Sequence, residues 1–171
     1  MNIPTLDTER LTLRAFAVQD FDAYAQMCAD PQFMRFLLGG KPLAKEDAWR
    51  NLAFIQGHWA LLGYGIWAVE TRQSRALIGT AGLLNPDGWP GLEVCWALAP
   101  RHWGHGFATE AVKAVIDWTF ASLEVDRLIS LIHPDNHRSA AVAARVGESL
   151  RGQLEFKETP LRIYEILRPG R

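Results

Sequence analysis

Residues 65–98 carry the strongest constraint on the fold. "GIWAVET" (65–71), "LIGTAGLL" (77–84) and "LEVCWAL" (92–98) are short segments rich in β-formers, and "NPDGWPG" (85–91) before the last of them is dense in turn residues. Connections this short return the chain antiparallel, so the three segments predict a meander. The pattern then changes. "RHWGHGFATEA" (101–111) runs from two glycines into helix-forming sequence, where Phe107, Ala111, Val115 and Trp118, flanked by Val112 and Ile116, describe a buried helix over 106–120. "RLISLIH" (127–133) reads as a strand, which makes this stretch a β-α-β crossover.

The rest of the chain fits around that centre. "RLTLRAF" (10–16) alternates as a half-buried strand, and Phe21, Tyr24 and Cys28 mark a helix within 17–30 that Pro31 stops. A second helix over 43–63 carries Trp49, Leu52, Phe54, Ile55, Trp59 and Leu62 as an apolar stripe and ends at Gly63. "NHRSAAVAARVG" (136–147) is a short helix closed by Gly147, and the tail alternates as a final hairpin. The order β-αα-βββ-α-β-α-ββ predicts an α+β (mixed α/β) fold: a mixed, largely antiparallel central sheet with helices on both faces. With 171 residues, 49% of them hydrophobic, one core and a single domain over 1–171 are expected.

Charge narrows the partners. A net charge of -1 and a pI near 6.5 exclude the broad cationic footprint of a dedicated nucleic-acid binder and favour a small ligand. No apolar run approaches the ~20 residues of a membrane span, and the first residues lack a signal-peptide layout, so a cytoplasmic protein without a membrane partner is expected. Cys28 and Cys95 read as reduced thiols; neither His102/His105, across a glycine loop, nor His133/His137, with Pro134 between, sits on a regular helix face, and no cysteine joins them, so no metal site is expected. Monomer and homodimer are both open.

Gly104 and Gly106 sit where a strand gives way to a helix. First-turn amides have no intrahelical acceptor and carry the positive end of the helix dipole, so they attract anions. Glycines remove the Cβ atoms that keep a phosphate off the backbone. The amides of Gly104, His105, Gly106, Phe107 and Ala108, with Arg101 nearby, therefore form a candidate pyrophosphate cradle; a plain tight turn is the alternative. No Lys-Ser/Thr follows the second glycine, which argues against a Walker loop, and the meander upstream argues against a nicotinamide-binding fold.

At these residues the chain resembles the GNAT N-acetyltransferase superfamily, in its ribosomal-protein N-terminal acetyltransferase (RimJ/RimL-like) branch. The resemblance rests on "TERLTLR" (8–14) with Asp20 after it, on Arg101, Gly104 and Gly106 within "RHWGHGFATEA", on Asn136 followed eleven residues later by Gly147, and on "IYEILR" (163–168). It implies acetyl-CoA as donor, with the pyrophosphate on the 101–108 loop, including Trp103 and Thr109 at its margins. It also implies a splay between the strands on either side of the cofactor helix, with the pantetheine arm along the backbone of Trp96 and Leu98. Asn136 would reach the pantetheine or cap the next helix, and both can hold together.

For the base, Glu93 is the first candidate, with an exposed strand glutamate as the alternative. Many relatives place a Tyr acid seven residues after the Asn; here Ala143 stands there, and the resemblance passes the role to Ser139, which could equally be a cap. Tyr164 is a spare candidate. Trp59, Trp67, Trp89 and Trp103 are candidates for cleft walls or core, and the 37–47 loop for a cover over the acceptor. The expected activity is acetyl transfer to a primary amine, preferably a peptide N-terminus. The competing class is an acyl-CoA-binding protein that has lost catalysis, motivated by Ala143 and by Glu148, which stands where the family has an aromatic.

Overall fold

The computed structural model describes residues 3–37 and 39–170. Eight strands form one mixed sheet in the order β1-β2-β3-β4-β5-β6-β8-β7. β1 (Leu6–Asp7), β2 (Leu11–Arg14), β3 (Ile66–Thr71), β4 (Leu77–Leu84) and β5 (Glu93–Leu98) run antiparallel in succession. β6 (Arg127–Ile132) pairs antiparallel with β8 (Thr159–Leu167), and β8 with β7 (Ser149–Phe156). The single parallel contact, β5 to β6, joins these two antiparallel groups through one pair, Glu93 opposite Ile129. The predicted α+β order is present. β1, too short to show a period, was not foreseen.

The helices are α1 (Phe21–Cys28), α2 (Pro31–Met34), α3 (Lys45–Leu62), α4 (Phe107–Ser122) and α5 (His137–Arg145). Pro31 does end α1, but it also opens α2 at its first position, where its missing N–H costs nothing and Asp30 caps the Gln32 amide at 2.7 Å. α3 ends at Gly63, whose φ of 75° returns its amide to the Trp59 carbonyl. The face it buries is Ala48, Leu52, Ile55 and Trp59. Trp49, Phe54 and Leu62, expected in the same stripe, are exposed: the 3.6-residue period puts Trp49 and Phe54 off that face, and Leu62, though on it, is the last residue of the helix. Trp49 packs edge-on against Phe21 from outside.

Two apolar layers flank the sheet. α4 buries Ala111, Val112, Val115 and Ile116 against Leu13, Val69, Leu83, Val94 and Leu128. α1, α2 and α3 bury Tyr24, Cys28, Phe33, Met34, Leu52 and Ile55 against Phe16, Ala68 and Ala99. Trp59, Trp67 and Trp118 pack mutually edge-on or tilted, so Trp59 and Trp67 are core rather than cleft. At the sheet edge Arg14 bridges Asp20 at 2.7 Å and Glu70 at 2.8 Å. Burial alone would raise the Asp20 carboxyl, but the Arg14 guanidinium and the Ala17 amide hold it below its ordinary value.

Candidate active site

β5 and β6 part just after their one shared pair. The Ile129 amide donates to the Leu92 carbonyl at 3.0 Å. In a parallel ladder the next equivalent rung would join the Leu131 amide to the Val94 carbonyl. Side chains take both groups instead. The Leu131 N–H donates to Glu93 Oε1 at 3.3 Å, and Ser130 Oγ donates to the Val94 carbonyl at 2.7 Å. Strand alternation puts Glu93 and Ser130 on opposite faces, so the rung is replaced from both sides of the sheet.

Glu93 is buried, 8% exposed, which removes the reading of an ordinary surface glutamate. Its Oε2 accepts from the Trp89 indole at 2.7 Å, and Trp89 in turn packs edge-on against Phe156, with the Lys157 ammonium over both rings. Burial pushes the carboxyl up to about 7, the Trp89 and Leu131 donors pull it partway back, and the nearby Glu148 carboxyl adds to the rise. A carboxyl that titrates near neutrality beside an opening in the sheet suits a general base. Just after β6, His133 stacks on Phe36, so the loop after α2 touches the segment between β6 and α5. Leu38, part of the 37–47 loop expected to cover an acceptor, lies outside the described residues. Cys95, two residues beyond Glu93, is half-buried, and burial raises its thiol well above the ordinary range.

The glycine loop lies beyond the other end of β5. Gly104 and Gly106 have φ of 81° and 79°, the left-handed region that favours glycine, and a Cβ on Gly104 would meet nothing within 4 Å among the described residues. Gly106 caps α4, leaving the first amides of Phe107, Ala108 and Thr109 without intrahelical acceptors. This open, left-handed backbone at a helix N-terminus fits a pyrophosphate. His105 is exposed and its carbonyl accepts from Arg10 Nη1 at 2.9 Å; Arg101 is exposed and donates to His102 at 3.0 Å. Trp103 is half-buried, donates its indole N–H to the Leu98 carbonyl at 2.7 Å, and carries the Arg138 guanidinium 4.2 Å from its ring centre. Leu98, expected to offer its backbone to the pantetheine, thus already has its carbonyl engaged. Trp96 faces the α5 side, against Ile132, Ala143 and Tyr164.

Asn136 caps α5, its Oδ1 accepting the Ser139 amide at 3.2 Å. Ser139, in the first turn, is half-buried. Ala143 is fully buried, and Tyr164 from β8 packs beside it. Sequence reasoning did not anticipate Ser130, which belonged to an unremarkable strand, or the burial of Glu148; the aromatic displaced at 148 was the only signal.

Arg101, Trp103 and the glycine loop therefore lie beyond the end of β5, Glu93 lies at the mouth of the splay, and Asn136 and Ser139 lie at the start of α5, all around the β5-α4-β6 crossover. A family model described as an acetyltransferase (GNAT) domain matches residues 10–148. The uncharacterized N-acetyltransferase p20 of Bacillus licheniformis is 32% identical over 164 residues, covering 94% of this chain and 87% of that protein. The crystal structure of an acetyltransferase from Agrobacterium tumefaciens strain C58 is 34% identical, with a TM-score of 0.86 over 97% of this chain and 95% of that one. RimL, the ribosomal L7/L12 α-N-protein acetyltransferase solved with coenzyme A, shares the fold at 16% identity and a TM-score of 0.81, covering 96% of this chain and 98% of that one. The chain belongs to the GNAT acetyltransferase family, whose members are acetyl-CoA-dependent N-acyltransferases.

Proposed function

We propose that this enzyme transfers an acetyl group directly from acetyl-CoA to a primary amine, with the N-terminal α-amine of a peptide or protein as the preferred acceptor. The thioester supplies the activated acetyl group. The amides of Gly104 to Ala108 hold the pyrophosphate, with Arg101, Trp103 and Thr109 beside them; Trp96 and Leu98 present the strand edge; Asn136 orders the start of α5. Glu93 receives the proton that the amine loses, and Ser139 returns a proton to the departing sulfur.

The observation that carries this reading is the buried Glu93 carboxyl, titrating near neutrality where β5 and β6 separate. An α-amine with a pKa near ~7.8 is substantially deprotonated at neutral pH, whereas a lysine near ~10.4 needs ~3.5 kcal/mol of further help, which one carboxylate does not readily supply. RimL, named as an α-N-protein acetyltransferase, shares the fold and is consistent with that preference. Small-molecule amines are the second acceptor class, and loss of catalysis the competing reading.

The test is free-CoA release with acetyl-CoA and a panel of N-terminal peptides, lysine peptides and small amines. Release with α-amines that falls on the order of 10²-fold or more in Glu93→Gln supports the assignment. Tight acetyl-CoA binding with no release from any amine would favour a binding protein.

A further inference from the structure

α5 ends in a two-bond turn set by Gly147, whose φ is 93°: the Gly147 amide donates to the Ala144 carbonyl at 3.2 Å and the Glu148 amide to the Ala143 carbonyl at 2.9 Å. The residue after such a glycine commonly makes an apolar contact back to the helix. Here it is a glutamate, 5% exposed. Its Oε1 lies 2.9 Å from Ser130 Oγ, and its Oε2 is buried without a hydrogen-bond partner among the described residues.

Ser130 Oγ has one proton and two neighbours, Glu148 Oε1 at 2.9 Å and the Val94 carbonyl at 2.7 Å. A carbonyl can only accept. If the Ser130 proton serves Val94, the remaining contact needs a proton from Glu148, so the pair of distances is satisfied by a neutral carboxyl. An ionised Glu148 would draw the Ser130 proton to itself, leave Val94 without its donor, and bury a charge that no cation pairs with among the described residues. Burial pushes Glu148 up to about 7, with the Ser130 contact opposing it.

We propose that Glu148 is a positioning residue for acetyl transfer: in its neutral form it donates to Ser130, commits the Ser130 proton to the Val94 carbonyl, and so fixes the point where β5 and β6 part and, with it, the adjacent Glu93. The proposal rests on Glu93 acting as the base. The working form has Glu93 ionised and Glu148 neutral, and ionising the second carboxyl as well frees Val94 and loosens the apex.

The groups around this relay are few. Glu93 approaches from β5 with Trp89 and the Leu131 amide as its donors, and the Cys95 thiol stands next to Glu93. Tyr164 on β8 is paired opposite Ser130. Glu165, its neighbour, is paired opposite Ile129 and so faces the other side, where Arg151 and Arg127 engage it.

Three variants and one spectroscopic measurement test this. Glu148→Gln keeps a neutral donor to Ser130; it should retain kcat within a small factor and abolish the alkaline fall in the pH profile of the wild type, while leaving the acid limb in place, because Glu93 ionises beside a neutral Glu148. Glu148→Leu supplies the apolar contact the turn favours and folds, yet removes one of the two groups that hold Ser130 Oγ and leaves the Val94 carbonyl as its remaining anchor; kcat should fall about tenfold with the KM for acetyl-CoA less affected, and Ser130→Ala should match it. Infrared spectra of the unliganded protein should show a neutral-carboxyl band below neutral pH that Glu148→Gln lacks. Wild-type kcat in Glu148→Leu, or equal losses in Glu148→Gln and Glu148→Leu, would overturn the proposal. So would absence of the band assigned to Glu148 under mildly acidic conditions. The infrared result does not depend on any amine being acetylated, so it separates failure of this inference from failure of the assigned activity.

Discussion

Arg10 and Glu110, one hundred residues apart in the chain, are held together by both carboxylate oxygens of Glu110: Oε1 accepts the Arg10 backbone amide at 2.8 Å, and Oε2 accepts Arg10 Nε at 2.7 Å and Nη2 at 2.6 Å. Thr8 adds its hydroxyl to Oε1 at 2.6 Å. The same guanidinium reaches the His105 carbonyl and lies over the Phe107 ring, so the "TER" segment before β2 clamps the first turn of α4 and the glycine loop together. Burial alone would raise Glu110, but Thr8 and Arg10 hold it below its ordinary value. Glu110→Ala should cost about 1–3 kcal/mol of stability, and it should weaken CoA binding by releasing the loop. Calorimetric CoA titration alongside urea unfolding checks both, and unchanged CoA affinity would show that the clamp serves the fold alone.

The pH dependence of stability has two limbs of opposite sign. Asp20 and Glu110 are depressed in the folded state, so their contribution is present above the ordinary carboxylate range and is lost as pH falls through their folded values. Glu93 and Glu148 are raised to about 7, so the unfolded chain releases their protons first and stability falls between pH ~4.5 and ~7. Glu93→Gln should therefore be more stable than wild type near pH ~8, by on the order of 2–3 kcal/mol, with little difference near pH ~4. Denaturant midpoints across that range measure it.

Trp89 sets the acid limb. Its indole donates to Glu93 and stabilises the ionised form. Trp89→Phe keeps an aromatic against Phe156 but removes that N–H, so the Glu93 titration should move to higher pH. The check is the kcat/KM profile, where the rising limb should shift alkaline with the plateau nearly preserved.

Gly104 separates backbone strain from crowding. Its φ of 81° penalises any side chain, while the space around its would-be Cβ is empty. Gly104→Ala should lose about 1–2 kcal/mol of stability from strain and additional CoA affinity from the methyl group standing where a phosphate would approach. Equal losses in the free and CoA-bound states would place no phosphate at that position.

How much of this was legible beforehand follows from sequence range. The meander, the crossover and the glycine loop were readable because strand alternation, helix period and turn chemistry are local. Gly147 could be assigned to a helix end for the same reason. The exposure of Trp49 and Phe54 was not readable, since choosing which apolar face of α3 packs inward requires knowing where the sheet lies. His58 is a sharper case. Its Nδ1 donates to the Tyr64 carbonyl at 2.9 Å and its Nε2 accepts the Asn85 amide at 3.1 Å, tying α3 to the loop after β4 through a contact 27 residues away. Glu93 could be named from its position, but its burial depends on Leu131 and Trp89 converging on it. Ser130 gave no signal at all, because its role exists only once β5 and β6 diverge.

With a single rung between them, the five strands ending at β5 and the three beginning at β6 are two half-sheets hinged along one seam. The backbone groups facing each other beyond that seam are the edge of an interrupted structure, and a molecule carrying its own amides can complete it. Binding there would couple the two halves mechanically. Amide protons on β5 and β6 should then slow their exchange together when the cleft is filled.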